Sequence, residues 1–372
     1  MAYYKIDGLN NIKFDFDDIL LVPSQNTSIT SRYNDVKLPE LPLFVAPMDT
    51  VIDLNNINTF VDKHINVCVP RTIPYEEYQE KYFLNCDGIG VGYLAMSREK
   101  MVFPSLGFGD LDRLLEDKSE FGLNNFTTIL IDVANGHMKK ILEYCVRLKM
   151  NNKNLKIMVG NIANPETYRW YAESGVVDYI RVGIGNGNGC LTTKQTGIGY
   201  PKASLINEIY KIKKEMYDSY KYPDALPKIV ADGGMKDYAD IVKALALGAD
   251  YVMIGSLFNK TMESCAQSYF KGFKVGPKTA RKIFNKGWGI YKYYRGMSTK
   301  GAQKAMGKNK FKTSEGVVRY RKVEYTLDQW LENFKHYLKT AMSYSNANTL
   351  DDFIGKAEFC HITKNAYDRF NK

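Results

Sequence analysis

No apolar stretch in this chain approaches the roughly 20 residues that a membrane-spanning helix needs. The first ten residues, MAYYKIDGLN, lack the apolar core of a secretory signal. Cysteine is sparse: Cys68, Cys86, Cys145, Cys190, Cys265 and Cys360 stand far apart, with no C-x-x-C pair and no Cys/His cluster. That spacing argues against a disulfide framework or a structural zinc site and points to a reducing, cytoplasmic setting. No G-x-G-x-x-G follows the first apolar run, where an open dinucleotide-binding sheet would carry it. Nor is there a Lys/Arg tract interleaved with aromatics. The net charge of +10 therefore suits small anionic ligands, and neither a nucleic-acid nor a membrane partner is expected.

What the chain does contain is a rhythm of short apolar runs, each with a Gly/Pro/Asn/Asp-rich end and then an amphipathic stretch. The runs are Leu43–Met48, Ile65–Pro70, Ile89–Ala95, Thr128–Gly136, Leu155–Asn161, Val176–Gly183, Lys228–Gly234 and Asp250–Ser256. Alternating strand and helix implies a parallel sheet, and eight units close a (β/α)8 TIM barrel. With 372 residues, the chain is expected to form one such domain over 1–372. A lead-in segment covers Phe14–Gln25, a polar flap about 274–322, and a helical tail about 323–372 with Leu327, Trp330, Leu331 and Phe334 on one face. A doubly wound open sheet is the alternative.

Barrel chemistry sits at the C-terminal ends of the strands. The unusual residues gather there: Met48-Asp49-Thr50, Asp132 with Asn135-Gly136, Asp232-Gly233-Gly234, and Gly255-Ser256. The last two pairs follow strands seven and eight, where bare backbone N–H groups suit a phosphate. Between them lies DYIRVGIGNGNGCLTTKQTGIGYP, residues 178–201. Its glycines permit close backbone approach. Cys190 with Thr192 offers a nucleophile and a proton-handling hydroxyl; a small buried cysteine beside a glycine linker is the plainer alternative.

With these pieces in order (FDFDDILLVP, APMDTV, IDVANGH, RVGIGxGxxC, TGIGYP, ADGG, VMIGS, YRGMS and SEG), the chain resembles the IMP dehydrogenase/GMP reductase family over nearly its whole length. The resemblance implies a (β/α)8 barrel, usually tetrameric, in which a cysteine thiolate attacks C2 of a purine mononucleotide and a nicotinamide cofactor exchanges hydride there. TGIGYP and DVANG look like reductase versions. No Arg-Tyr pair lies within Met297–Glu315; the pair Arg319-Tyr320 follows Ser314-Glu315-Gly316, whereas the dehydrogenase dyad precedes that position. No regulatory insert of about a hundred residues parts the second and third runs. APMDTV and Arg181 look more like dehydrogenase versions.

Carried over by motif, the resemblance implies Cys190 as nucleophile, with Thr192 and Glu315 moving the proton that makes the 2-amino group an ammonia leaving group. Asp232 would take the ribose hydroxyls. Gly233, Gly234, Gly255, Ser256 and Tyr294 would hold the 5′-phosphate, with Arg295, Gly296 and Met297 beside the nucleotide and Met48 packed on the purine. Asn188 stands where a serine normally contacts that phosphate. Asp132, Ala134, Asn135 and Gly136 would face NADPH. Carbonyls of Gly185, Gly187 and Cys190 match a potassium site. The expectation is a cytoplasmic, homotetrameric, NADPH-dependent GMP reductase. The alternatives are an IMP dehydrogenase without its regulatory module, a silent nucleotide-binding barrel, and a flavin-dependent barrel oxidase. His137 reads as an ordinary helix-start residue.

Overall fold

The computed structural model describes residues 12–80, 101–117, 122–187, 189–219, 225–307 and 316–370. The chain leads in through β1 (Ile19–Leu21) and then lays down β2 (Leu43–Val45), β3 (Asn66–Val69), β4 (Val102–Leu106), β5 (Thr128–Asp132), β6 (Lys156–Ile162), β7 (Tyr179–Val182), β8 (Lys228–Asp232) and β9 (Tyr251–Ile254). Strands β2 to β9 close in chain order into a parallel barrel, β2 pairing with both β3 and β9. The fold is the expected TIM barrel.

One strand differs from expectation. The run Ile89–Ala95 lies outside the described residues, and the third place in the barrel belongs to Val102–Leu106. Pro104 hides that strand in the sequence, because proline cannot donate to a ladder and is rare in central strands. Here it sits opposite Val69.

Alternation along each strand sorts side chains into two cores. Inward, Phe44, Cys68, Phe103, Leu130, Met158, Tyr179, Val230 and Met253 supply one side chain from each strand and fill the lumen. Their rings meet edge-on, with centroids 5.6 Å apart for Phe44–Phe103 and 5.4 Å for Phe103–Tyr179. Outward, residues such as Val45, Val67, Ile129, Ile157 and Ile180 pack under the helices. The helices start and stop where local chemistry says they should. Asn164 caps Pro165–Ser174 by accepting from Glu166 N–H, Pro165 opens the first turn, and Gly175 closes it in the left-handed region.

The segment expected as a polar flap without periodicity forms a four-stranded antiparallel sheet. Its strands are β10 (Ser268–Phe270), β11 (Phe273–Val275), β12 (Tyr291–Arg295) and β13 (Val318–Lys322). A helix at Pro277–Asn285 buries Ala280 in a small separate core with Met262, Ile290 and Val323. The alternation was masked because one inward position is a lysine: Lys292 is buried and donates to Ser264 C=O at 2.7 Å.

The helix Leu327–Tyr344 buries Leu327, Trp330, Leu331 and Phe334 as expected, packing on the helix Tyr238–Ala246. The tail is not helical throughout. It ends with β14 (Phe359–His361), which pairs antiparallel with β1 and so ties the chain's two extremities together. Among the described residues no helix is long and apolar enough to cross a membrane.

Candidate active site

Three strand ends carry charge at the C-terminal mouth of the barrel. Arg181, buried on β7, reaches between two carboxylates: Nη1 to Asp132 Oδ1 at 2.5 Å and Nη2 to Asp232 Oδ2 at 2.8 Å. Asn161, at the end of β6, donates to the same Asp232 Oδ2 at 2.7 Å and to Gly183 C=O at 2.9 Å. Lys202, almost fully buried, donates to Val182 C=O at 2.7 Å and to Asp232 C=O at 2.5 Å. Burial opposes ionisation of Asp232, but Arg181, Lys202 and Asn161 outweigh it and hold the carboxyl below the usual range. For Lys202 burial wins, and its ammonium is pushed down to about 8. Asp232 therefore stays a carboxylate at neutral pH, fixed in place by Arg181 and Asn161.

The neighbouring turn after β5 is locked rather than open. Gly136 N–H donates to Asn161 C=O at 2.9 Å, a side chain at Gly136 would strike Asn161 backbone, and Asn135 Oδ1 accepts from His137 N–H at 3.1 Å. His137 accepts the Ala163 N–H at Nε2 and so carries its proton on Nδ1, 2.9 Å from Thr167 Oγ1. It is a structural link from this turn to Ala163 and Thr167, where an ordinary helix-start residue was expected. Asp132 keeps Oδ2 without a partner among the described residues, next to Val133 and Ala134 at the mouth.

The cysteine loop leaves β7 through Gly183 and Gly185, both at positive φ. Cys190 Sγ lies 3.2 Å from Thr192 Oγ1, and Cys190 N–H closes a turn onto Gly187 C=O at 2.9 Å. The loop leans on the turn after β8. A Cβ on Gly233 would sit 3.3 Å from Gly187 Cα, and one on Gly234 would sit 3.1 Å from Asn186 Cβ. Both glycines have positive φ, so conformation and close approach each demand glycine there. The thiol loop and the expected phosphate turn are adjacent.

The flap sheet closes on this loop from above. Val317 N–H donates to Gly189 C=O at 3.2 Å, Gly296 N–H to Val317 C=O at 3.1 Å, and Cys190 bridges to Gly316. A Cβ on Gly189 would lie 3.0 Å from the Tyr294 hydroxyl. Tyr294 is buried, which raises its pKa. Arg295 forms a two-pronged ion pair with Asp49, beside Met48, whose sulfur abuts Gly255. Arg321 donates to Ser256 C=O at 3.3 Å and lies 4.7 Å over the Tyr294 ring. Met297 follows, partly buried.

Thus Met48, Asp132, Asp232, Gly233, Gly234, Gly255, Ser256, Tyr294, Arg295 and Gly296 come together around Cys190 and Thr192. Asn188 and Glu315 lie outside the described residues. Asn161, Lys202 and Arg321 went unassigned in the sequence. Asn161 ended a recognised apolar run and Lys202 followed the TGIGYP motif, the only signals that could have found them.

Residues 123–369 match the family model described as IMP dehydrogenase / GMP reductase domain, more than half of the chain. The chain belongs to this family. The family acts on purine nucleotides, in their interconversion, with a nicotinamide cofactor. GMP reductase 2 of Homo sapiens is 26% identical over 376 residues, covering 98% of each chain. GMP reductase of Shigella boydii is 25% identical, covering 97% of this chain and 98% of its own. Inosine-5′-monophosphate dehydrogenase of Aquifex aeolicus is 32% identical over 252 residues, covering 64% of this chain and 45% of its own.

Proposed function

We propose that the protein is an NADPH-dependent GMP reductase that converts GMP, NADPH and protons to IMP, NADP+ and ammonia. The observation that carries this reading is Cys190 Sγ beside Thr192 Oγ1 at 3.2 Å, on a loop packed against Gly233-Gly234. Cys190 bonds to C2 of the purine. Thr192, with Glu315, delivers the proton that lets the 2-amino group depart as ammonia, and the thiol leaves again as C2 regains its hydrogen. Asp232 accepts from the ribose hydroxyls, and the turns at Gly233-Gly234 and Gly255-Ser256 offer N–H groups to the 5′-phosphate.

The residues present fit a nicotinamide. Asp132 holds one oxygen on Arg181, and the other, without a partner among the described residues, can accept from a carboxamide. When bound, the cofactor supplies the two-electron reduction at C2. The carbonyls of Gly185, Gly187 and Cys190 offer the oxygen-only ligation that suits a potassium ion; Gly187 C=O retains a second lone pair after bonding Cys190 N–H.

Two observations favour the reductase over the dehydrogenase. Full-length relatives carry the reductase name, while the dehydrogenase match covers 64% of this chain. In addition, Tyr320 of the Arg319-Tyr320 pair is 58% exposed and packs on Tyr269 and Tyr293, away from any hydrolytic role at Cys190. The reading includes a cytoplasmic homotetramer, to be checked by light scattering. The deciding assay follows nicotinamide absorbance with GMP and NADPH against IMP and NAD, with and without potassium. Turnover confined to IMP and NAD reverses the assignment.

A further inference from the structure

On the barrel-facing side of the flap sheet, Arg321 stands opposite Lys292 in the β12–β13 register. Its guanidinium covers the Tyr294 ring, spends one N–H on Ser256 C=O, and is half-buried. Among the described residues no carboxylate pairs with it. Glu324, the acid whose charge reaches it, is bound by Lys260 at 2.8 Å. Arg319, two residues earlier and so on the same side of β13, also lacks a carboxylate partner among the described residues. Both cations act on the Tyr294 hydroxyl, which also feels Asp232 and Cys190. Of the other guanidinium groups near the mouth, Arg181 pairs with two aspartates and Arg295 with Asp49, while Arg71 donates to Asp132 C=O at 3.1 Å.

Withdrawing part of a guanidinium from water without a counter-anion is costly, and an arriving anion relieves that cost. A guanidinium also presents parallel N–H groups that match a phosphoryl group. We propose that Arg321, with Arg319 beside it, grips the 5′-phosphoryl group of the purine mononucleotide between Tyr294, Ser256 and the Gly233-Gly234 turn. The inference rests on the nucleotide-site reading above but not on the choice of GMP over IMP, since both carry the same phosphate. It supplies a cation to a cradle whose other donors are backbone N–H groups and hydroxyls.

The test is titration calorimetry on the full chain, with GMP, IMP and guanosine as probes, alongside the NADPH dependence of turnover. Arg321→Met keeps an apolar cover on Tyr294 and removes the charge; Arg321→Lys returns the charge without the fork. In Arg321→Met both mononucleotides weaken roughly 10- to 100-fold, as for a lost charge-assisted hydrogen bond, while guanosine stays within about twofold. Arg321→Lys falls between, and the NADPH dependence is unchanged. Guanosine weakening in step with GMP would mean a merely structural role and overturns the proposal. So does unchanged GMP affinity, or a loss confined to NADPH, which would move the phosphoryl group to the cofactor. Should Arg321→Met fail to fold, Arg321→Gln carries the same comparison. A wild-type protein that binds neither mononucleotide sinks the functional reading and this proposal together. One that turns over only IMP with NAD sinks the reductase assignment and leaves Arg321 standing.

Discussion

The barrel mouth and the flap sheet handle charge in opposite ways. Between residues 271 and 322 there are sixteen Lys or Arg and one acid, Glu315, so the other 320 residues carry a net −5. At the mouth the central charges answer one another: Arg181 is met by Asp132 and Asp232, and Asp232 again by Asn161. In the flap sheet, Arg295 finds Asp49, while Arg319 and Arg321 find no carboxylate among the described residues. A network that satisfies itself can orient a substrate. Cations left over are suited to recruiting one, because an anionic ligand completes what the fold leaves open.

The largest effect is expected at the point where the two regions meet. Cys190→Ala should lower turnover by about a thousandfold or more while mononucleotide binding persists, read by absorbance and calorimetry. Intact turnover would dissolve the shared site altogether. Next comes the mouth's own network. Arg181→Met strands two carboxylates and should cost about 3–5 kcal/mol in urea unfolding at neutral pH. A loss under about 1 kcal/mol would erase the contrast with the flap.

The pH dependence sharpens the same point. Asp232 has a depressed pKa in the folded state, so its contribution is present above the unfolded value of about 3.9 and is lost as pH falls through the folded one. Urea midpoints should therefore drop steeply below about pH 4 in the wild type and more gently in Arg181→Met.

On the flap side the changes are smaller. Asp49→Asn loosens the partly buried tether to Arg295, and a stability loss near 1 kcal/mol with a several-fold rise in nucleotide KM is expected. Smallest should be the response to ionic strength. Raising salt from about 0.05 to 0.5 M should lower kcat/KM for the mononucleotide a few-fold, chiefly through screening of Arg319 and Arg321. A profile as flat as that of Arg319→Ala/Arg321→Ala would say those cations do not steer.

Much of this was legible along the chain. The barrel follows from apolar runs separated by amphipathic stretches, because burial of both strand faces is written locally. Of the loop glycines at 183, 185, 187 and 189 that announced close backbone approach, the first two have positive φ, as do Gly233 and Gly234, read as N–H donors to an anion. Val102–Leu106 was missed because Pro104 contradicts a strand, yet its neighbours supply enough pairing to hold it. The flap sheet was missed because Lys292 occupies an inward position whose ammonium is satisfied by Ser264 C=O, a partner no periodicity reveals.

By itself the sequence determined the barrel, the thiol with its hydroxyl, and the turns that crowd around them, since each depends on residues near one another in the chain. Only the tertiary structure decided that Arg181 bridges two aspartates, that Lys202 ties the tips of β7 and β8, and that Arg321 hangs over Tyr294 with no paired acid among the described residues. Those roles depend on which distant backbone groups and charges meet in space, and electrostatic pairing is set by distance and burial rather than by order along the chain.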